Sequence, residues 1–174
     1  MDGHIRRATE EDIPLLAALI RTSHKDVAIR FNLKAKKCPT HPAFCTDEMI
    51  KKSAAKGEEF YVLMDESRAV GCVALLRANR DVFYMERLAV LPEYRSCGCG
   101  SLLANFCIQL ARKRAARRVV VGVIADQTEL IEWHRWLGFR FKQHARFPDL
   151  PYSVAFMYND LQLQEELFIE AEAA

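Results

Sequence analysis

No apolar run in this chain approaches the roughly 18 residues needed to span a membrane, so no membrane partner is expected. A formal net charge of +2 is too small to argue for nucleic acid. The opening Met1-Asp-Gly-His-Ile-Arg-Arg7 has no apolar signal core and leads straight into a strand pattern. A cytoplasmic location is the expectation, and with it reduced thiols at all 6 cysteines. There is no Ser/Gly-rich linker tract and no internal repeat. A length of 174 residues, 51% of them hydrophobic, then implies one domain over 1–174 with a sizeable core.

Two familiar phosphate-binding patterns are also missing. The most informative stretch, Met85 to Leu103, reads as a strand, a glycine loop and the start of an amphipathic helix. Pro92 ends the strand, since it has no N–H to give a ladder. Gly98 and Gly100 allow close backbone approach to a ligand, and helix-start N–H groups favour an anion. Arg95 adds a permanent cation. A P-loop would place Lys and then Ser or Thr after its second glycine, where this chain has Ser101-Leu102. A dinucleotide fingerprint would need a small residue at Leu103 and an acidic residue ending a following strand.

The remaining pattern predicts a mixed α/β domain. Ile5 to Ala8 is a strand, and Thr9 precedes a helix carrying Ile13, Leu16, Ala17 and Ile20 on one face. Lys34 to Pro42 is a basic connection, and Thr46 caps a second helix ending near Gly57. Phe60–Met64 and Ala69–Leu76 form a hairpin, with Val82–Val90 as the third strand. The next helix carries Leu103, Phe106, Cys107 and Leu110 on one face. Arg118–Ile124 is a β-branched run suited to a strand buried on both faces, parallel to the strand ending at Val90. Thr128–Leu137 is a helix stopped by Gly138, and 139–147 and 153–158 close the sheet as an antiparallel pair.

The run Arg95-Ser-Cys-Gly-Cys-Gly100 resembles the Arg/Gln-x-x-Gly-x-Gly/Ala signature of the GNAT acetyltransferases. Glu86 to Arg95 is similar to that family's fourth strand and its lead into the loop. Trp133-His-Arg-Trp-Leu-Gly-Phe139 resembles its aromatic-Tyr-x-x-x-Gly-Phe segment. The resemblance implies the GNAT fold, an α/β domain with a central mixed, mostly antiparallel sheet flanked by helices. It implies acetyl-CoA as co-substrate, with backbone of Leu88, Ala89 and Val90 along the pantetheine arm. Arg95, Ser96, Cys97, Gly98, Cys99, Gly100 and Ser101 would cradle the pyrophosphate. It places the acceptor groove near 23–45 and 146–153, and leaves room for a homodimer. The basic Arg30, Lys34, Lys36 and Lys37 point weakly to an acceptor or partner with negative charge.

Acetyl transfer to an amine needs a base, a donor for the oxyanion and a proton for the leaving thiolate. Glu86 is the base candidate. By period two it shares a strand face with Tyr84, Leu88 and Val90, where burial would raise its pKa. A structural ion pair is the alternative. His134 stands where the family has its tyrosine acid, and its helical spacing from Leu130 and Leu137 points it inward. It is either the acid or a buried, hydrogen-bonded core histidine, with Tyr84 and Tyr152 as substitutes. Cys38, His41 and Cys45 are too irregularly spaced for a metal site, so no metal is expected. Cys97 and Cys99 are small fillers, oxidisable where exposed. Arg112, Lys113, Arg114, Arg117 and Arg118 fit a helix C-terminus on a solvated surface, or a contact with the CoA 3′-phosphate or an acidic partner. The expected function is N-acetyl transfer from acetyl-CoA to a primary amine by direct transfer in a ternary complex. A CoA-binding regulatory or interaction module without turnover is the alternative.

Overall fold

The computed structural model of the chain describes residues 3–162. Its strands are β1 (Gly3–Arg7), β2 (Glu58–Asp65), β3 (Arg68–Arg77), β4 (Val82–Val90), β5 (Arg118–Ile124), β6 (Arg140–Arg146) and β7 (Ser153–Asp160). Its helices are α1 (Ile13–Arg30), α2 (Asp47–Ala55), α3 (Cys99–Lys113) and α4 (Thr128–Trp136). The element order is the one the sequence pattern predicts. The strands form one sheet in the order β1-β2-β3-β4-β5-β7-β6, in which only β4 and β5 run parallel.

Alternation along the strands divides the core into two layers. Tyr61, Leu63, Val73, Leu75, Phe83 and Met85 pack with Leu103, Cys107 and Ile108 of α3. Phe60, Val62, Cys72 and Ala74 pack on the other face with Leu16, Leu19 and Ile20 of α1 and Ile50 of α2. Local signals set the helix ends. The Asp12 carboxylate accepts the Thr9 N–H at 2.8 Å and both arms of the Arg6 fork at 2.7 Å, just before α1. Thr46 Oγ1 accepts the Met49 N–H at 3.3 Å and caps α2.

Two irregularities of β4 set the geometry at the centre of the sheet. The first is a bulge. Cys72 pairs with Ala89 and Ala74 with Glu86, so Val73 faces both Arg87 and Leu88. Arg87 takes φ 53° to make this bulge. The extra residue reverses the alternation beyond it. Leu88 and Val90 pack on the α3 side, while Ala89 and Leu91 join the α1 side. The expected face shared by Tyr84, Glu86, Leu88 and Val90 is therefore corrected. Tyr84 and Glu86 alternate with the α3-facing Phe83 and Met85, and so face α1 and α2.

The second irregularity is a split. The parallel ladder is confined to Val82–Tyr84 against Arg118–Val120, although both strands run on past it. β5 instead stays paired with β7 along its whole length. The two central strands therefore diverge into a wedge with Tyr84 and Val120 at its apex.

Candidate active site

Pro92–Tyr94 forms a short turn at the mouth of the wedge, and the chain then loops into α3. Ser96 has φ 60° and Gly98 φ 88°, the left-handed region that costs glycine little. The backbone N–H groups of Ser96, Cys97, Gly98, Gly100 and Ser101 donate no hydrogen bond to the described residues. They form an array of donors backed by the positive end of a 15-residue helix. A Cβ on Gly100 would lie 3.3 Å from Trp133 Cζ2, so this glycine lets α4 close against the loop.

Arg95 does not present its side chain as a free cation. Its Nη1 lies 2.5 Å from Asp26 Oδ2, its Nη2 donates to the Ser23 carbonyl, and its Nε donates to the Val90 carbonyl at 3.3 Å. The guanidinium thus ties the loop to α1 and to the end of β4. Ser23 and Asp26 were not singled out by sequence reasoning, because nothing local in α1 marks them as partners of a residue about seventy positions away.

Glu86 opens to solvent between the wedge and α2 and has no hydrogen bond or ion pair among the described residues. Its carboxyl pKa is raised, first by desolvation from the surrounding walls and then by the nearby Glu58 charge, with Arg87 opposing. The ion pair anticipated for it is made by its neighbour. Arg87 Nε lies 3.8 Å from Oε1 of Glu58, which is only 5% exposed. Glu58 opens β2 and reaches this face across the sheet, which no sequence spacing reveals. Tyr84, half-buried two residues before Glu86, has a hydroxyl without a hydrogen bond among the described residues.

His134 is 4% exposed, its ring held between Trp133 and Phe139. Nδ1 lies 2.7 Å from the Leu130 carbonyl, which can only accept, so Nδ1 carries the proton. Burial lowers its pKa, leaving a neutral ring with a bare Nε2. This geometry matches the core-histidine alternative.

The two stretches assigned to the acceptor groove do meet. Ala28, Leu33 and Cys38 form a small cluster with Phe31, Phe44, Leu150 and Tyr152. Arg30 is drawn to Glu129 of α4 at 3.1 Å. A cavity of about 570 Å³ lies beside this cluster, lined by Arg21, Lys25, Ile29 and Lys34. It sits on the face of α1 opposite Ser23 and Asp26, and so outside the wedge. His41 and Tyr152 pack edge to face at 6.2 Å, which places Tyr152 here and not beside Glu86. No group of three or more metal-ligating side chains occurs among the described residues. None of the six cysteines is in a disulfide.

The basic cluster Arg112, Lys113, Arg114, Arg117 and Arg118 lies at or just past the other end of α3, roughly 22 Å from the loop for a helix of this length. That distance removes the proposed contact with a CoA 3′-phosphate. Arg77, Arg80, Arg114 and Arg117 line a second cavity of about 600 Å³ there, with Arg114 on Glu59 at 2.6 Å and Arg117 near Asp81 at 3.5 Å. Among the described residues, no helix is long and apolar enough to cross a membrane.

Residues 29–139 match the model of the Acetyltransferase (GNAT) family. The chain is 26% identical over 144 residues to the Escherichia coli N-acetyltransferase YjgM, covering 81% of this chain and 84% of that one. Its fold is shared with the ribosomal-protein-S18-alanine N-acetyltransferase of Escherichia coli, at a TM-score of 0.73 and 16% identity, covering 91% of this chain and 94% of the other. A GNAT acetyltransferase from Elizabethkingia anophelis with acetyl-CoA bound superposes with a TM-score of 0.68 at 14% identity, covering 91% and 98%.

Proposed function

The chain belongs to the GNAT acetyltransferase family, and we propose that it moves the acetyl group of acetyl-CoA directly to a primary amine in a ternary complex. The observation that carries this reading is the wedge between β4 and β5, with the array of unbonded N–H groups at its mouth. Pyrophosphate on Ser96 to Ser101 would send the pantetheine arm into the wedge along Leu88, Ala89 and Val90. The thioester would then lie near the apex, beside Glu86 and Tyr84.

Glu86 takes the proton from the incoming ammonium, directly or through water. Its pKa is raised above the ordinary carboxylate value, the direction that makes a carboxylate a better proton acceptor. The neutral amine attacks the thioester carbon, a β4 backbone N–H faces the developing oxyanion, and the thiolate leaves. Of the available acids, Tyr84 has the hydroxyl on the right face to protonate that thiolate. His134 has its proton turned to Leu130 and serves packing instead. Holding donor and acceptor together supplies much of the acceleration. The acceptor approaches over α1, α2 and the 28–44 and 150–152 cluster. Protein amines are one class to test, since one fold neighbour is a ribosomal-protein-alanine N-acetyltransferase. A second copy would pair on the exposed edge strand β6, beside the exposed Trp136 and Phe141.

The test is acetyl-CoA binding followed by CoA release across a panel of amines. Acetyl-CoA at a hundred times its Kd should add about 2.7 kcal/mol of stability. Acceptor-dependent release of CoA supports transfer. Binding without release from any amine favours the regulatory module, whose support is the histidine at 134 in place of the family's tyrosine. Absence of binding removes the reading altogether.

A further inference from the structure

Two thiols face one another inside the phosphate loop. Cys97 Sγ and Cys99 Sγ are 3.5 Å apart, Cys97 exposed and Cys99 buried. The other four cysteines are buried in the core and its flanking cluster. Cys97 Sγ donates to the Tyr94 carbonyl at 2.8 Å, which turns it toward Cys99. Gly98 between them sits at φ 88°, with open space where a Cβ would stand, and gives the backbone linking the two cysteines glycine's conformational freedom.

We propose that Cys97 and Cys99 are a modification site, a dithiol that hydroperoxides oxidise reversibly to a disulfide within the loop, and that the linked loop no longer takes the phosphates of acetyl-CoA. The second half rests on the proposed function, whereas the first rests on the thiols alone. The sulfurs must approach by about 1.5 Å to reach the usual bond length of roughly 2.05 Å. The exposed Cys97 reacts first, as a thiolate. Its sulfur attacks the peroxide oxygen, the O–O bond breaks, and the leaving alkoxide or hydroxide departs as alcohol or water with the thiol proton. Cys99 sulfur then attacks the Cys97 sulfenic acid. The S–S bond forms, the S–O bond breaks, and water leaves with the Cys99 proton. Two thiols have lost two electrons and two protons, and the hydroperoxide has gained them. A small dithiol reverses the link by exchange.

The consequence for the ligand is geometric. Closing the link breaks the bond from Cys97 Sγ to Tyr94 and re-aims the N–H groups of Ser96, Cys97 and Gly98. Those groups form the larger part of the donor array, and their common direction is what an anion needs. Bound acetyl-CoA would in turn cover Cys97 and slow its oxidation.

The experiment treats fully reduced protein with hydrogen peroxide, maps peptides by mass without reduction, and measures acetyl-CoA binding by calorimetry before and after. A Cys97–Cys99 link is expected, with the buried four still alkylatable after unfolding. The Kd should rise at least about tenfold and return with dithiothreitol. Cys97→Ser protein should show no peroxide-dependent change from its own starting Kd. Failure to form the link, or a linked protein whose Kd is unchanged, would overturn the proposal. If reduced protein does not bind acetyl-CoA, the reading of the loop and the proposed consequence both fall, while the mass map still decides the link.

Discussion

Arg95 and Asp26 join the glycine loop before α3 to the first helix, Nη1 to Oδ2 at 2.5 Å. Both side chains are substantially exposed, 38% and 55%, so the pair adds little to global stability, about 0.5 kcal/mol. Its effect should be on the ligand, because the loop's N–H groups work only when held in one arrangement. Asp26→Ala and Arg95→Ala should each raise the KM for acetyl-CoA, by roughly three- to tenfold, with kcat changing less. The double variant should cost little more than Arg95→Ala alone, since both remove one contact. Fully additive losses would show that Arg95 meets the phosphates independently of Asp26.

Glu86 predicts an acid limb in the pH profile of kcat/KM. A base must be unprotonated, so activity should fall as pH drops through the Glu86 pKa, which lies above its ordinary 4.5. Glu58→Gln removes the neighbouring charge that helps raise it, and should move the limb to lower pH. Glu86→Gln should cut kcat about a hundredfold and abolish the limb. An unchanged profile in Glu86→Gln would exclude it as the base.

The element order and the glycine loop before α3 were legible in the sequence because both rest on local signals. Thr46, Gly138 and Pro92 mark ends, and the β-branched run at 118–124 marks a buried strand. The face of Glu86 relative to Leu88 was not legible. A bulge at Arg87 is a property of strand pairing, and a period-two count runs straight through it. For the same reason Glu58 escaped notice, being adjacent to Glu86 only across the sheet. The role of Arg95 was half legible. Its position in the motif marked the loop, but its partner on α1 depends on tertiary packing.

Tyr84 and His134 can be separated by substitution. Tyr84→Phe removes only a hydroxyl and should lower kcat by about a hundredfold if that hydroxyl protonates the thiolate. His134→Phe fills a similar space between Trp133 and Phe139 and loses the bond to Leu130. It should leave kcat within about tenfold and lower the melting temperature by several degrees. The reverse pattern would return the acid role to His134.

Three enclosed histidines make the fold sensitive to mild acid. Burial lowers the pKa of His24, His41 and His134, that of His41 to about 4. In the unfolded chain each takes up a proton near the ordinary 6.5, so below 6.5 the unfolded state binds more protons than the folded one, for His41 down to about 4. Their contribution to stability is therefore full above pH 6.5 and is lost as pH falls below it, that of His41 progressively toward 4. The carboxylates of Asp12, Asp26 and Glu59 are held low by Arg6, Arg95 and Arg114, so their contribution fades only in stronger acid. His41 can be isolated from the other two, because its Nδ1 accepts the Ala43 N–H at 3.1 Å and an asparagine side chain can do the same without titrating. His41→Asn should shrink the fall in melting temperature between pH 7 and 5, by roughly 5 °C or less. A fall as steep as that of the unsubstituted protein would assign the acid sensitivity to His24 and His134 alone.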